Sequence, residues 1–399
     1  MKRIGLIISL ALMTISMAAG TISVVPGSGA LSAAISQAKA GDVLMLADGQ
    51  YDESSNIVIS TPLTICAAEG AKPVLMAGGR IEVKADLRVA GLSIETNTAA
   101  EAFRLQPGEE IYSLYLRGCS IKGFSSKTIR VYATDQLVAY VDSLVIDDCV
   151  VRPAAGRGLE ASVANKQVQH LLIQNATFDG GAHGVGRLIY FNSEEGTTVQ
   201  SATIDHCTFY HAQDTRGIYL GNIDGAQVSN CIFMNPEYNA DYKSYCVYGK
   251  NTLLTHCITY NADAYVRSGA QSNNVSTQNP YFVDANNGNF QLYKNSPAVT
   301  MGTDGTAIGD PRWGVSEEEA DLSDTPYLPY KKPYSMAPTT TSVKVLWQMA
   351  EESEPTTAIV WYGTDKDNLQ DSIVTDSGWM VNGEGYMHIV DITGLQANT

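Results

Sequence analysis

The repeating unit of the chain is complete at Leu87-Arg88-Val89-Ala90-Gly91-Leu92-Ser93-Ile94, where apolar residues alternate with other residues on both sides of a glycine. Alternation with a period of two residues is typical of β-strands, and the glycine marks a turn between two short strands. Six further copies follow, and their turn residues are 24 to 31 residues apart. Because Gly, Asn, Asp and His tolerate a positive φ, the turn column predicts a left-handed kink in every repeat. The turn residues are Gly91, Gly118, Asp148, Asn175, His206, Asn230 and His256.

A repeat of this length predicts a β-helix. One unit does not bury its apolar side chains alone, so successive units must stack and hydrogen-bond along one axis. We therefore expect an all-β fold, a right-handed, single-stranded parallel β-helix of the pectate-lyase type, over residues 21–315. Both ends of such a helix need a cover. Apolar residues at helical spacing from Leu31 to Ala38 predict a short capping helix, and the turn-rich segment from Asn279 to Trp313 is expected to close the far end.

Two columns after the turn are expected to face the interior. The chain has seven cysteines, an odd number, and five of them fall in the first column. Stacked side chains in register point the same way, so we expect buried thiols rather than disulfides or metal ligands. The first column contains Leu92, Cys119, Cys149, Ala176, Cys207, Cys231 and Cys257, and the second contains Ile94, Ile121, Val151, Phe178, Phe209, Phe233 and Tyr260.

The N-terminus and the net charge restrict location and partners. Lys2 and Arg3 precede an apolar run from Ile4 to Met13 and then small residues, which predicts a signal peptide over residues 1–20. We expect a secreted protein, whether periplasmic, cell-surface or extracellular. No other stretch has the ~20 apolar residues of a membrane span, so no membrane insertion is expected. The formal net charge of −16 argues against nucleic acid as a partner.

The composition changes after Trp313. Residues 316–326 read as an acidic linker, and residues 327–399 contain alternating apolar patterns of a small β-sandwich. This region resembles the fibronectin-III-like domain that precedes the catalytic domain of purple acid phosphatases, on Pro326-Tyr327-Leu328, Trp347-Gln348, Trp361-Tyr362-Gly363-Thr364 and Gly394-Leu395. The last two strands of such a sandwich would follow Thr399, so we expect the chain to be a fragment of a longer protein.

The first coil resembles the opening of polysaccharide lyases of the chondroitinase-B and alginate-lyase type. The resemblance rests on Gly29 to Asp42 and on Asp48-Gly49-Gln50-Tyr51. It implies a lyase that acts on an acidic polysaccharide, with a lysine base, a nearby arginine and calcium as the candidate cofactor. The acidic ligand motif and the lysine-arginine segment of that family are not recognisable in the central coils, so no catalytic residue is transferred. The closing segment from Asn279 to Trp313 resembles secreted β-helix domains without assigned activity.

A column of cations recurs on the second strand of successive repeats, at steps of 29 or 30 residues. Arginine pairs with carboxylate through a planar fork, and tyrosine stacks on a sugar face, so this part of an acidic chain predicts a surface for an acidic polysaccharide. The cation column contains Lys127, Arg157, Arg187 and Arg216, and the column three residues later contains Arg130, Glu160, Tyr190 and Tyr219. His183 and His211 are further candidate binding residues.

The same residues suggest a chemistry and its structural alternative. In β-elimination a cation neutralises the uronate carboxylate while other groups move protons. Arg187 and Arg216 are the candidates for the first role, and Tyr190, Tyr219, His183 or His211 for the second. The alternative is structural pairing of these cations with carboxylates such as Glu160 and Asp214 of neighbouring coils.

Three functions remain open from the sequence. The first is a polysaccharide-interacting β-helix that cleaves an acidic polymer as a lyase. The second is a non-catalytic glycan-binding or adhesion module. The third is an accessory region of a metallophosphatase whose catalytic domain follows Thr399. Whether the chain is an enzyme is not decided by the sequence, because a fold alone does not fix function.

Overall fold

The computed structural model describes residues 19–132, 139–161, 167–181, 184–191, 199–212, 216–235, 245–261, 271–320, 331–336, 338–349, 357–364, 370–381 and 385–396. The chain divides into two compact units, Met1–Ala320 and Asp321–Thr399, and the division falls inside the predicted linker. The predicted signal peptide up to residue 18, together with His183 and Asp214, lies outside the described residues. Within the described part of the chain, no helix is both long and apolar enough to cross a membrane.

The first unit is a parallel β-helix, as the repeat predicts. Strands of successive coils pair in parallel and in register, for example Leu87 with Leu114 and then Leu144. The described residues form one sheet of twenty strands that bends at the turn column. Its strands are Thr21–Val24, Gly27–Ser28, Val43–Leu46, Gly49–Glu53, Leu63–Ala67, Pro73–Ala77, Leu87–Ala90, Ser93–Glu95, Tyr112–Arg117, Ser120–Lys122, Tyr140–Asp147, Val150–Arg152, Gln167–Gln174, Thr177–Asp179, Ser201–Asp205, Thr208–Tyr210, Gln227–Ser229, Ile232–Met234, Leu253–Tyr260 and Gln271–Ser276.

A second parallel sheet forms the opposite wall of the same coils. Eight strands of the described residues pair in sequence along the axis, one from each successive coil. We call this the eight-stranded sheet. Its strands are Ile57–Ile59, Ile81–Val83, Phe103–Leu105, Lys127–Val131, Arg157–Ala161, Ile189–Phe191, Arg216–Asp224 and Tyr245–Lys250.

The predicted left-handed turns are confirmed. Each of the seven turn residues has a positive φ, from 48° at His206 to 75° at Gly91. Asn274, with a φ of 53°, continues the pattern by one coil. Side chains at and next to the turn column also bridge coils, since Asp205 accepts hydrogen bonds from Ser229 (2.6 Å) and from the turn residue Asn230 (2.8 Å) of the next coil.

The interior columns are as expected except at one position. All residues of the small column are buried, and the cysteines that the structure describes are free thiols. Phe209 stacks between Phe178 and Phe233, with ring centroids 5.5 and 4.9 Å away. The assignment of Tyr260 to the inward column is wrong. Phe233 pairs in register with Thr259, which is buried, whereas Tyr260 pairs with Met234 on the outer face.

The N-terminal cap is the predicted helix, Ala30–Gln37. Leu31 is fully buried at the top of the core, and Ala34, Ile35 and Ala38 pack against it. The carboxylate of Glu53 accepts the amide N–H of Leu31 at 2.9 Å. This satisfies a backbone donor that the first turn of a helix leaves without an intrahelical partner.

The closing segment takes a different path from the expected one. It runs back along the side of the β-helix, and its contacts reach as far as Arg152, which donates to the carbonyl of Gly288 at 3.0 Å. The reason is that the outer face of these coils carries apolar residues, which Leu292, Ala298 and Ile308 cover. The segment contains the antiparallel strands Phe282–Asp284 and Asn289–Leu292 and the 3₁₀ turns Ala285–Asn287, Pro297–Thr300 and Pro311–Trp313.

Polar contacts fasten the end of this segment to the helix. The buried carboxylate of Asp310 accepts the hydroxyl of Thr177 at 2.7 Å and the side chain of Arg312 at 2.9 Å. Burial raises the pKa of Asp310. The indole of Trp313 donates to the same Thr177 hydroxyl at 2.8 Å. The first part of the predicted linker is also held, since Ser316 donates its amide N–H to Leu292.

The described residues of the second unit form two antiparallel sheets. Trp347, Val390 and Ile392 are its buried core, and residues of both sheets pack around them. This agrees with the predicted sandwich, and its likeness to fibronectin III stays a prediction. The four-stranded sheet has the order Lys331–Met336, Ser342–Met349, Gly385–Thr393 and Gly378–Val381, and the other sheet pairs Ala358–Tyr362 with Asp371–Thr375.

Candidate functional site

The eight-stranded sheet brings the two predicted columns together. Arg130 pairs in register with Glu160, Glu160 with Tyr190, and Tyr190 with Tyr219. Lys127 pairs in register with Arg157. The column also extends one coil towards the N-terminus, where Arg104 pairs with Arg130. One outer face therefore carries cationic and aromatic side chains from five consecutive coils.

Two carboxylates organise the cations at the N-terminal side of this face. Glu101 binds Arg104 and Arg130, the latter at 3.0 Å from Nη1 to Oε1. Glu160 binds Arg157, approaches Arg130 Nε at 3.7 Å and lies 4.0 Å from Lys127 Nζ. Their side chains are only 5% and 2% exposed. The structural alternative is thus realised for these cations. Among the described residues, four cations share two carboxylates, so the summed charge of this group is positive.

The charge of Glu101 depends on its two arginines. Burial alone would raise the pKa of this carboxyl group, but hydrogen bonds from Arg104 and Arg130 outweigh it and lower the pKa below its usual value. Glu101 is therefore a carboxylate at neutral pH. It fixes both guanidinium groups beside each other, on neighbouring coils.

Tyr190 is the centre of an aromatic group farther along the face. The guanidinium carbon of Arg157 lies 4.2 Å from the centroid of its ring, and that of Arg187 lies 4.4 Å away. Arg187 also lies 5.2 Å from the ring of Tyr219, and the two rings are 5.1 Å apart. Tyr190 is partly exposed, whereas Tyr219 is buried, with 4% exposure. Cations within about 6 Å of an aromatic face are attracted to it, so the ring holds both guanidinium groups.

A second group of the same kind was missed at the sequence level. Arg104 and Arg130 lie 4.9 and 5.0 Å from the centroid of the Tyr132 ring. Arg104 could have been found by continuing the column back by one coil, since it lies 26 residues before Arg130. Tyr132 follows Arg130 by two residues, which places both on the same side of a strand. Glu101 carries no signal of this kind.

The remaining predicted site residues lie elsewhere or are only partly described. His211 has a φ of 55° and is a turn residue, and its Nδ1 lies 2.7 Å from the carbonyl oxygen of Gly181. The strand position of Arg216 is known from its pairing with Tyr245, but its side chain is outside the described part. His183 is likewise outside it.

The described residues do not fit a calcium ion on this face. Calcium takes six to eight oxygen ligands, mainly carboxylates and carbonyls. The carboxylates at the centre of the face, Glu101 and Glu160, are already bound by arginines. No group of three or more His, Cys, Asp and Glu side chains that could hold a metal occurs within the described ranges. We therefore assign no step to calcium.

Replacing Glu101 with glutamine should destabilise the protein by about 2 kcal/mol at neutral pH, because two partly buried arginines lose a charged partner. The pKa of Glu101 is lowered on folding, so its contribution is present above the ordinary carboxyl pKa and is lost as the pH falls through the folded value. Denaturant unfolding at neutral and acidic pH should show the difference between variant and wild type shrinking in acid.

The matched control for this change is Glu95→Gln. Glu95 also bridges coils, through Lys122 at 3.0 Å, but both side chains of this pair are more exposed. An exposed pair contributes at most about 1 kcal/mol, so this control should change little. Equal losses of unfolding free energy in the two variants would show that the buried Glu101 stabilises the protein no more than an exposed ion pair does.

Two family models match the β-helix. The first, described as a domain of unknown function (DUF4957), matches residues 49–177. The second, also described as a domain of unknown function (DUF5123), matches residues 202–313 and so includes the closing segment. No curated protein matches the sequence.

Solved structures of a PL6 family alginate lyase, AlyGC, are similar to this chain. The wild-type enzyme shares 16% identity with a TM-score of 0.42, over 66% of this chain and 38% of the lyase. An arginine-to-alanine mutant of AlyGC shares 16% identity with a TM-score of 0.38, over 65% of this chain and 38% of the mutant. The chain thus covers less than half the length of these structures.

Proposed function

We propose that this chain is a secreted β-helix that binds an acidic polysaccharide on the outer face of the eight-stranded sheet. The observation that carries the proposal is the arrangement of Arg157 and Arg187 over the ring of Tyr190. Two guanidinium groups and a partly exposed ring on one rigid wall offer what a uronate sugar needs. The guanidinium groups pair with its carboxylate, and the exposed edge and hydroxyl group of the ring contact the sugar.

The charge of the face supports an anionic ligand. The whole chain has a net charge of −16, so a cluster of cations on it must be held by local partners. Among the described residues, two carboxylates and several tyrosine rings hold these cations, and the rings neutralise no charge. The acidic remainder of the protein repels a polyanion over long distances, and this repulsion weakens as salt is added. We therefore expect tight contact at the face but slow association at low ionic strength.

Lyase activity is a second candidate on the same residues. β-Elimination needs a cation against the carboxylate and a group that accepts the proton of the sugar ring. Arg187 lies against two tyrosines, Tyr190 and Tyr219, whose hydroxyl groups are of the right type. In this mechanism Arg187 pairs with the uronate carboxylate, and a tyrosine in its phenolate form accepts the C5 proton. The bond from C4 to the glycosidic oxygen breaks as the C4–C5 double bond forms, and the tyrosine, now a phenol, returns the proton to the leaving oxygen.

One experiment separates these functions. The protein is titrated with a polyuronate such as alginate and with a neutral polysaccharide of similar length, and the heat of binding is recorded. The same mixtures are followed by the ultraviolet absorbance of an unsaturated product, with and without calcium. We expect binding to the polyuronate and much weaker binding to the neutral polymer. Formation of the unsaturated product would show that the protein is also a lyase. Equal binding of both polymers, or binding of neither, would disprove the proposal.

A further inference from the structure

The arrangement around Tyr190 recurs two coils away. At Tyr190, one arginine comes from the preceding strand, Arg157, and one from just before the tyrosine in its own coil, Arg187. At Tyr132, one arginine again comes from the preceding strand, Arg104, and one from two residues before the tyrosine. Each ring is partly exposed and has two guanidinium groups within about 5 Å of its centroid.

We infer that Arg104, Arg130 and Tyr132 form a second subsite for the same ligand, so that an acidic polysaccharide lies along the axis of the β-helix across both tyrosines. This inference rests on the proposed function, because it extends the binding face rather than replacing it. Tyr190 is in register with Arg130 two strands away, which is about 10 Å along the axis, and Tyr132 follows Arg130 by two residues, which adds about 7 Å along the strand direction. The subsites therefore lie roughly 12 Å from each other, mainly along the axis.

The two subsites are joined by a fixed connection. Glu160 lies between them, and its buried carboxylate contacts Arg130 of one subsite and Arg157 of the other. Arg130, Arg157 and Glu160 lie on paired strands of one sheet, so the spacing of these three residues does not depend on a loop. Because this spacing is set before binding, little conformational entropy is lost when a ligand engages both subsites.

The arrangement selects for length. A single acidic sugar reaches one tyrosine with its two arginines, whereas a chain of several uronate residues reaches both. Engagement of a second site by a ligand that is already bound is an intramolecular step, and it raises the affinity without any new type of contact. The ligand class that fits is therefore a linear polymer with a carboxylate on each residue, rather than a branched glycan with one acidic end.

The inference is tested by calorimetry with oligouronates of increasing length, from the disaccharide upwards. For the wild-type protein we expect affinity to rise at least tenfold once the oligosaccharide spans both tyrosines, and then to level off. Tyr132→Ala should remove this gain and leave the affinity for the disaccharide within about twofold. Tyr115→Ala is the control, since Tyr115 stacks with Arg88 at 4.3 Å on the other sheet. Tyr115→Ala should leave the affinity for every oligouronate of the series unchanged.

The outcomes are distinguishable. If long oligouronates bind and Tyr132→Ala binds them as tightly as the wild type, the second subsite is refuted while the proposed function stands. If no oligouronate binds the wild type at any length, the proposed function itself fails. Should Tyr132→Ala unfold, Tyr132→Leu keeps a larger apolar side chain than alanine and still removes the aromatic ring, and the same loss of the length effect is expected for it.

Discussion

A Gly156→Ala variant should lose on the order of 4 kcal/mol of stability or more, and with it the ordered cation face. Gly156 has a φ of 76°, and a Cβ at this position would overlap the carbonyl oxygen of Ser126 on the preceding coil. That oxygen accepts the amide N–H of Arg157 at 2.8 Å. The methyl group would therefore push apart the two coils that present Lys127 and Arg157. Denaturant unfolding followed by circular dichroism measures the loss.

Gly70→Ala is the matched control for this prediction. Gly70 has nearly the same backbone conformation, with a φ of 74°, but nothing lies within 4 Å of a Cβ built there. The Gly70→Ala variant should lose only the free energy that an alanine pays for a left-handed backbone conformation, about 1–2 kcal/mol. Similar losses in both variants would mean that the backbone conformation dominates and that the contact between coils at Ser126 is loose.

The turn column could be read from the sequence because only a few residue types tolerate its backbone. A positive φ excludes most side chains, so Asp148, Asn175 and His256 mark their turns as clearly as the glycines do. The small interior column was readable for a similar reason. A narrow space repeated in successive coils favours small side chains, such as Cys119 and Ala176, although Leu92 occupies the first of these positions.

The pattern failed at Tyr260 because the inward position of that coil carries a polar residue. Thr259 stands three residues after the turn residue His256, as Phe233 does after Asn230, and it pairs in register with Phe233. The closing segment also packs on the outward-facing Ile258, so burial does not separate the two faces there. Its lateral path was not predictable, since it follows no period and is held by contacts between residues far apart in sequence, such as Thr177 and Asp310.

The candidate site was predictable in its columns and not in its contacts. The steps of 29 and 30 residues placed Arg157 near Arg187 and Glu160 beside Tyr190, and the register agrees. Which cations bind carboxylates and which stack on rings depends on side-chain packing. Glu101 shows the difficulty. It precedes the strand Phe103–Leu105, and nothing in its position in the sequence distinguishes it from the other glutamates of the chain.

Tyr190→Ala should lower the affinity for a polyuronate at least tenfold, which corresponds to about 1.4 kcal/mol. The ring contacts Arg157, Arg187 and Tyr219, so its removal takes away both the surface for the sugar and the support of two guanidinium groups. Aromatic side chains with arginine neighbours are the residues whose truncation most often dominates a binding energy. Because Tyr190 is partly exposed, the melting temperature should change little.

Tyr115→Ala separates the loss of a binding surface from a general effect of deleting a tyrosine. Tyr115 is also partly exposed and also stacks with an arginine, Arg88, at 4.3 Å, but it lies in the strand Tyr112–Arg117 of the other sheet. Calorimetric titration of both variants with one polyuronate should show a loss for Tyr190→Ala alone. A comparable loss in both would mean that polyanions bind wherever an arginine meets a ring. An undiminished affinity in Tyr190→Ala would move the ligand away from the eight-stranded sheet, because among the described rings Tyr190 is the one that contacts both Arg157 and Arg187.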